Sequence, residues 1–559
     1  VKNLFKIDFL QKTGIKMSLN LDLLHWILAA IPIIALIILM VGMNWTAQQA
    51  GTTGIFIAAG IAVFAFEAST RALAVASARG IWDAMPILYV IWPALLLYQI
   101  MNQSGGYDAL RRGISRMSRN ELFIIVALGW VFTSFLQGID GFGTPIAVVA
   151  PLLVAFGMRP VYAVAIPIIA HIWAKFYGTL GVGWLATLQV VEMDAGTTLS
   201  MGLQAAILIA IQSVLGGFMV VWMYGRGAAV RAGWPLVLVI AAIHSIGQFL
   251  VVFIDPILAA FLPAALAMIA LYPLSQWSHY KEADTTIVDR PAMREEAHLE
   301  ENSAEPPMDI VAAFSPYALL TILALATSLI DRLHAWLYIP SFGLPFPAIT
   351  TGMGVETAAS DSYSPLHMFA HPGATITVTA LVTWFCFRKF DYFNQWARAT
   401  GKEMPGVVKG LFASAVPASV PIIAFLVMAS IMKLSGQNTM LALGIAAIAP
   451  AYVFAFLANG IGILGAFITS SSTSSQVLFS ELQVNLAEAK GLPPSTILAA
   501  QSAGGAIGNA IAPANVVMGA STTGINGQEG AILRKTIPWT IAAFVLTGIA
   551  TVIMSMIFA

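Results

Sequence analysis

The chain turns on Phe135-Leu136-Gln137-Gly138-Ile139-Asp140-Gly141-Phe142-Gly143-Thr144-Pro145. Apolar runs flank it, Leu122 to Ser134 and Ile146 to Phe156. Neither alone reaches the ~20 apolar residues that a membrane-spanning helix needs. The closely spaced Gly138, Gly141, Gly143 and Pro145 cannot continue one smooth helix, and an ionisable Asp140 sits inside the break. In hydrocarbon, non-helical backbone is tolerated only where protein buries it or it lines a watery cavity. A broken helix with polar groups near the membrane middle is a common construction for a transporter binding site.

Composition sets the surroundings of that break. The chain has 559 residues, 58% hydrophobic and 10% charged, with a mean hydropathy of +0.83. A soluble domain carries about 25% charged residues. The reading is therefore a polytopic, multi-pass membrane protein embedded in a lipid bilayer. The formal net charge is zero, so no basic excess points to nucleic acid. A single cysteine, Cys386, rules out an intrachain disulfide framework and a CxxC metal site. No cleavable signal peptide is evident, because the first apolar run, Leu23 to Val41, is too long for one.

The apolar runs predict an all-α fold with about 12–14 transmembrane helices, some of them broken or re-entrant. The expected layout is a polar N-terminal segment over 1–20, a first transmembrane half over 21–274, a polar linker over 275–313 and a second half over 314–559. The linker is mostly acidic and reads as a solvated connector. A second polar stretch, 340–369, reads as an extramembrane or re-entrant loop, and no strand is predicted anywhere. Arg111, Arg112, Arg116 and Arg119 make one loop basic; Arg388, Lys389, Arg398, Lys402 and Lys409 make another. The positive-inside bias places both in the cytoplasm. The N-terminal Lys2, Lys6, Lys12 and Lys16 favour the same side, which conflicts with three crossings before the first basic loop.

The second half repeats the interruptions. One runs from Gly460 to Gly465 and on through Thr469-Ser470-Ser471-Ser472-Thr473-Ser474-Ser475-Gln476. The other runs from Gln501 through Gly504, Gly505, Gly508, Asn509 and Pro513 to Asn515. In the first half, the 137–145 break is likewise followed by a polar, glycine-containing helix, His171 to Gly183. Matching breaks in two halves point to an inverted-repeat transporter with its site between the repeats.

A small anion in a membrane needs donors and positive potential in place of its water. Half-helix N-termini supply both, and glycines let backbone approach closely. Candidate substrate contacts are thus Gly141, Phe142, Gly143 and Thr144 in the first break. Ser471, Ser472, Thr473, Ser474, Gln501, Gly504 and Gly505 are their counterparts in the second half. The serine hydroxyls could equally coordinate Na⁺, and the glycines could simply allow tight packing. Asp140, His171 and Lys175 are the ionisable residues deepest in apolar context, where such groups are costly and usually functional. Lys175 is open to three readings: it attracts a substrate carboxylate, pairs with Asp140, or snorkels to the interface. Asp140 and His171 are candidate carriers of a coupling proton. His244, Asp255, Asp331, His334 and Lys433 read as interfacial. There is no P-loop, no HExxH and no GxSxG, so no catalytic residue, metal ligand or cofactor is assigned and no enzyme is expected.

The motifs at Phe135 to Ala147, Gly178 to Gly181, Thr469 to Gln476 and Gly504 to Pro513 resemble those of the bacterial and archaeal lactate permease family. The likeness extends from about Gly80 to the C-terminus, taking in Gly80-Ile81-Trp82 and Gly105-Gly106-Tyr107-Asp108. It implies a secondary transporter of the cytoplasmic (inner) membrane that takes up L-lactate, D-lactate or glycolate with a proton. The chain departs from the family pattern at its charges. Glutamate is expected where Gln137 stands, a small residue at Asp140, asparagine at His171, an apolar residue at Lys175 and lysine at Asn509. In the serine run the pattern is Gly-Ser-Asp-Thr-Ser-Ser-Asn, where this chain has Ser470 to Gln476. The scaffold is that of the family and the charge layout is not.

The leading expectation is a proton symporter for a small monocarboxylate, working by alternating access, with Asp140 as the protonation switch. A Na⁺-coupled transporter of another small organic anion, a sulfonate or dicarboxylate, is the alternative. A passive anion channel is the third. A homo-oligomer is compatible with the sequence.

Overall fold

The computed structural model describes residues 23–43, 45–141, 143–294, 305–401 and 405–558. Helices dominate, as expected. Among the described residues, nine helices are long and apolar enough to cross a membrane, or ten if one bent pair counts as a span. Counting the two arms of the longest helix separately, and adding the shorter apolar helices, brings the tally into the expected range.

The chain opens with α1 (Leu23–Ile37), α2 (Ala47–Phe64) and α3 (Thr70–Gln103), then the short α4 (Gly106–Ser115). Helix α5 (Glu121–Ile139) contains a π-helical turn at Ala127–Phe132 and ends at the first break. Then follow α6 (Thr144–Ala155), α7 (Pro160–Ala170), α8 (Gly178–Val190) and the long α9 (Ala195–Val252). Helix α9 folds back at Gly225 and Arg226, where Arg226 takes a left-handed φ of 54°. Helix α10 (Phe261–Gln276) leads through α11 (Ser278–Lys281) and the linker to α12 (Ile310–Leu329) and α13 (Asp331–Tyr338).

The linker corrects its expected character. Its described residues are not a free connector but are fastened to one face. Arg159 N donates to Ala292 O at 2.7 Å, and Arg294 N to Gly157 O at 3.0 Å. Arg290 pairs with Glu121 at 3.0 Å and Glu305 with Arg112 at 2.7 Å. The acidic composition matches this basic face, so the linker docks where composition alone suggested solvent. The second basic loop joins it there, because Trp396 and Pro307 both crowd Gly105. The positive-inside bias favours this as the cytoplasmic face.

The opposite face carries a second departure from expectation. The 340–369 stretch forms strands β1 (Phe342–Phe346), β2 (Ile349–Thr350), β3 (Glu356–Thr357) and β4 (Ser360–Leu366). β1 pairs with β4 and β2 with β3, both antiparallel. Irregular register between Phe342↔Leu366 and Leu344↔Tyr363 erases the period-two pattern that would have announced them. Gly352 N bonds Glu67 O, and the His25 ring meets Phe66 edge-on. Helix α1 therefore starts on the strand face, away from the basic loops. Residues 1–20 lie outside the described residues.

The remaining helices are α14 (Pro372–Lys389), α15 (Tyr392–Thr400), α16 (Val407–Ser435), α17 (Gln437–Ile448), α18 (Ala451–Thr469), α19 (Ser472–Lys490), α20 (Pro494–Gly508), α21 (Pro513–Thr522) and α22 (Glu529–Ile557). The second half of the inverted repeat lies within this set, and the first half lies earlier in the chain. Helices α5 and α6 form a hairpin: a Cβ on Gly129 would lie 3.7 Å from Leu153, and both open ends are tied to the linker. Its tip is Asp140–Gly143. Helices α18 and α19 form the second hairpin, with Ser475 Oγ donating to Gly462 O and Gln483 Nε2 to Ala458 O. Its tip is Ser470–Ser471. The open end of this hairpin faces the strands, because α19 there shares a cavity with Val190 at the far end of α8. The two hairpins enter from opposite faces. Each is followed by a crossing that breaks midway: α7 and α8 bend by 55°, and α20 gives way to α21 through Asn509–Ala512.

Candidate substrate site

Each hairpin tip is an interruption whose backbone must be satisfied away from water. At the first, Thr144 Oγ1 donates to Asp140 Oδ2 at 2.6 Å, Gly141 N to Thr179 Oγ1 at 2.9 Å, and Lys175 Nζ to Gly141 O at 3.1 Å. Gly143 is left-handed with a φ of 97°. A side chain there would be strained and would also strike Met518. Phe142 lies outside the described residues. Thr179 and Lys175 come from the break between α7 and α8, where Thr179, Leu180 and Gly181 turn left-handed in succession. Trp173 Nε1 donates to Ser134 Oγ at 2.8 Å, which pins that break to α5.

At the second tip, Ser471 caps α19 by accepting from Ser474 N at 3.2 Å. Thr469 Oγ1 donates to Gly465 O and accepts from Ser471 N. Ser470, at φ 54°, accepts from Ala514 N through its hydroxyl. The N–H groups of Ser472 and Thr473 fall in the first turn of α19, which has no intrahelical acceptor. Gln501 Nε2 donates to Ser475 O and Oγ, both at 3.1 Å, and Gln483 Nε2 donates to Gln501 Oε1. Asn509 Nδ2 donates to Gly505 O, and Asn515 Nδ2 to Asn509.

Helix α21 brings the tips together. Ala514 touches Ser470, and Met518, one turn on, touches the space beside Gly143. At 1.5 Å rise per residue those positions are about 6 Å apart along the helix. Helix α20 also packs on the Ile172–Ala174 turn between α7 and α8. All four interruptions thus converge on one polar centre.

The glycines divide by role. A Cβ on Gly504 would sit 2.0 Å from Asn459 O, and one on Gly508 2.5 Å from Ile463 O. These two are packing glycines against α18. Gly505 instead faces the Gln476 amide, 3.2 Å from the same hypothetical atom. Among the described residues, Gln137 Oε1, His171 Nε2 and Gln476 Nε2 are buried around the centre with no hydrogen-bond partner. Donors and acceptors held this way suit a small polar solute. The sequence reading placed Gln137 and Gln476 only as the ends of the two breaks and did not assign Thr179, Asn509 or Asn515 to the site. The serine run ending in Gln476 was the available signal for that residue.

The charged residues resolve as follows. Lys175 is buried at the break and does not snorkel. It fastens the first tip, within electrostatic reach of Asp140. Tyr98, Tyr107 and Tyr317 also lie within electrostatic reach of Asp140. His171 terminates α7 with Nδ1 on Pro167 O. One residue expected at the interface is not there: His244 is fully buried and stacks on Trp173 at 4.0 Å. Lys433 stands in the last turn of α16 on the strand face, where it lines a cavity and donates to Val190 O. Asp255 caps the short turn Pro256–Leu258, and His334 is exposed.

Opposed hairpins and broken crossings around a polar centre are the architecture of a multi-pass membrane transporter. Residues 25–558 match the family model described as L-lactate permease, and the chain belongs to that family. It is 28% identical over 552 residues to an L-lactate permease of Halalkalibacterium halodurans, covering 95% of this chain and 97% of that one. It is 26% identical over 561 residues to the glycolate permease GlcA of Escherichia coli, covering 95% and 96%. Among solved structures, the Alcanivorax borkumensis YdaH transporter, described as having an unusual topology, matches with a TM-score of 0.40. Identity there is 15%, over 85% of each chain.

Proposed function

We propose that this protein is a secondary active transporter that takes up a small 2-hydroxy monocarboxylate of the lactate and glycolate class by proton symport across the cytoplasmic membrane. The observation that carries this reading is the convergence of two hairpin tips from opposite faces on one turn of α21. Each tip presents a half-helix N-terminus, Thr144 on α6 and Ser472 on α19, suited to a carboxylate. Gln476 and Gln137 would meet its remaining polar atoms. Access would alternate as one hairpin loosens from the centre while the other stays closed. Asp140 and His171 are the proposed proton carriers, and Lys175 supplies positive potential while holding Gly141. The names of the relatives, lactate and glycolate permeases, support the substrate class.

The test is uptake of labelled L-lactate and glycolate into proteoliposomes under an imposed pH gradient. Saturable accumulation driven by that gradient, unchanged when choline replaces Na⁺, is expected. Gradient-independent uptake overturns proton coupling; dependence on Na⁺ moves the coupling ion to the serine tip; uptake without saturation favours a channel.

A further inference from the structure

A second polar cavity lies away from the tips, on the strand face. It holds about 600 Å³, within the range of about 300–1,000 Å³ common for small-molecule sites. Its walls come from α3 (Arg79, Asp83), the end of α8, α16 (Lys433), α19 (Glu481, Asn485) and the roof formed by the strand segment around Tyr363. Both α8 and α19 lead down from it to the breaks. The cavity therefore stands above the proposed centre on the extracytoplasmic side.

Its floor is assembled with care for charge. Arg79 is buried, with Nη2 donating to Ala358 O and the guanidinium over the Tyr363 ring at 4.6 Å and the Phe346 ring at 5.3 Å. Among the described residues its Nε has no hydrogen-bond partner. Asp83 is buried one turn further along α3. Its Oδ2 accepts from Tyr363 at 3.3 Å, and its Oδ1 has no partner among the described residues. Lys433 uses one donor on Val190 O and has others to offer. Asn485 Nδ2 is buried and likewise has no partner among the described residues. Glu481 is held by Asn438 at 2.9 Å. The inner wall thus sets two cations near two carboxylates, and one of these has a buried oxygen with no hydrogen-bond partner among the described residues. Glu192, Glu356 and Glu488 add negative charge at the lining. Of these, Glu192 and Glu356 are exposed and screened by solvent.

We infer that this cavity is a capture site for a 2-hydroxycarboxylate, its carboxylate on Arg79 and Lys433 and its hydroxyl donated to Asp83. A planar guanidinium held on an aromatic face suits a carboxylate. An open carboxylate acceptor selects for a ligand with a donor beside its acid group. An acid lacking that hydroxyl covers Asp83 without satisfying it, and such sites reject the analogue strongly. The inference rests on the proposed substrate class and adds a second place where that class binds.

The test uses the full-length protein in nanodiscs with Cys386→Ala and Ser430→Cys, the latter placing a thiol on the cavity wall. A small methanethiosulfonate reagent labels it. L-lactate and glycolate are expected to slow labelling about ten-fold, propionate less than about two-fold. Arg79→Gln and Asp83→Asn, each added singly, should abolish the protection by lactate. Protection should persist with Gly505→Ala, which crowds the tip site instead. Equal protection by propionate, absence of protection, or its loss with Gly505→Ala would overturn the capture site. If Arg79→Gln does not fold, the contrast between lactate and propionate still decides. Uptake without protection sinks only this site; protection without uptake sinks only the transport reading.

Discussion

Thr144 donates its hydroxyl to Asp140 across the first hairpin tip, over the left-handed Gly143. The acid is thereby held inside the break that the substrate is proposed to visit, so a change in its charge reaches the tip directly. Asp140→Asn retains an acceptor for Thr144 and removes the titrating proton. The expected outcome is loss of uphill accumulation with lactate exchange kept within about three-fold, about 0.6 kcal/mol. Counterflow and gradient-driven uptake in the same proteoliposomes separate the two. Unchanged accumulation clears Asp140 of the coupling role.

Adjacent glycines on α20 should behave oppositely. Gly504→Ala drives a methyl group to 2.0 Å from the Asn459 carbonyl, so backbone must shift between α18 and α20. Overpacking of this kind costs about 1–3 kcal/mol or more. Gly505→Ala is tight only against the Gln476 amide at 3.2 Å, which can rotate away, and makes ordinary contact with Ser475 Oγ at 3.6 Å and Ser472 O at 3.7 Å. The first should lower thermal stability and expression. The second should keep the fold and raise the KM for lactate, because Gln476 loses its place. Equal melting temperatures for both variants would contradict the division into packing and site glycines.

The tips were legible because glycine, proline and polar residues interrupt apolar runs at 137–145 and 469–476. The direction of each hairpin was not, since it depends on which open end meets the linker and which meets Val190. His244 was misplaced because the sequence does not show which helices cover it; its ring lies against Trp130 and Trp173 from neighbouring elements. The capture cavity was invisible for another reason. Arg79, Asp83, Lys433 and Glu481 come from three helices spread across the chain, and each alone looks like an ordinary charge near a span end. The strands were hidden by their shortness and irregular register.

The docked linker makes a testable contribution to stability. Tyr280 is buried, and burial pushes its phenol up to about 12, so it stays a donor. Its hydroxyl donates to Ala232 O at 3.0 Å and accepts from Leu236 N at 3.2 Å, bridging one turn of α9 next to Pro235. Tyr280→Phe takes the hydroxyl acceptor from Leu236 N, while Ala232 O keeps the His279 ring nitrogen at 3.0 Å, and should cost about 1–3 kcal/mol. Arg290→Ala breaks only a partly exposed ion pair with Glu121 and should cost about 1 kcal/mol or less. Thermal unfolding of the two variants in one detergent checks the order; a larger loss for Arg290→Ala would mean that charge, not the tyrosine, holds the linker.

Lys175 offers the sharpest test of how the first tip is held. Its ammonium donates to Gly141 O and lies within electrostatic reach of Asp140, and both residues are buried. Lys175→Met removes that cation from the neighbourhood of the acid and from Gly141 O, so thermal stability should fall. Adding Asp140→Asn to Lys175→Met removes the acid that the lost cation faced, so stability should return in part even though uphill transport does not. The coupling energy from the double-mutant cycle should then be about 0.5–3 kcal/mol in favour of the pair. Additive losses would show that Lys175 acts on Gly141 alone, and the positive potential assigned to it at the tip would have to come from the half-helix termini.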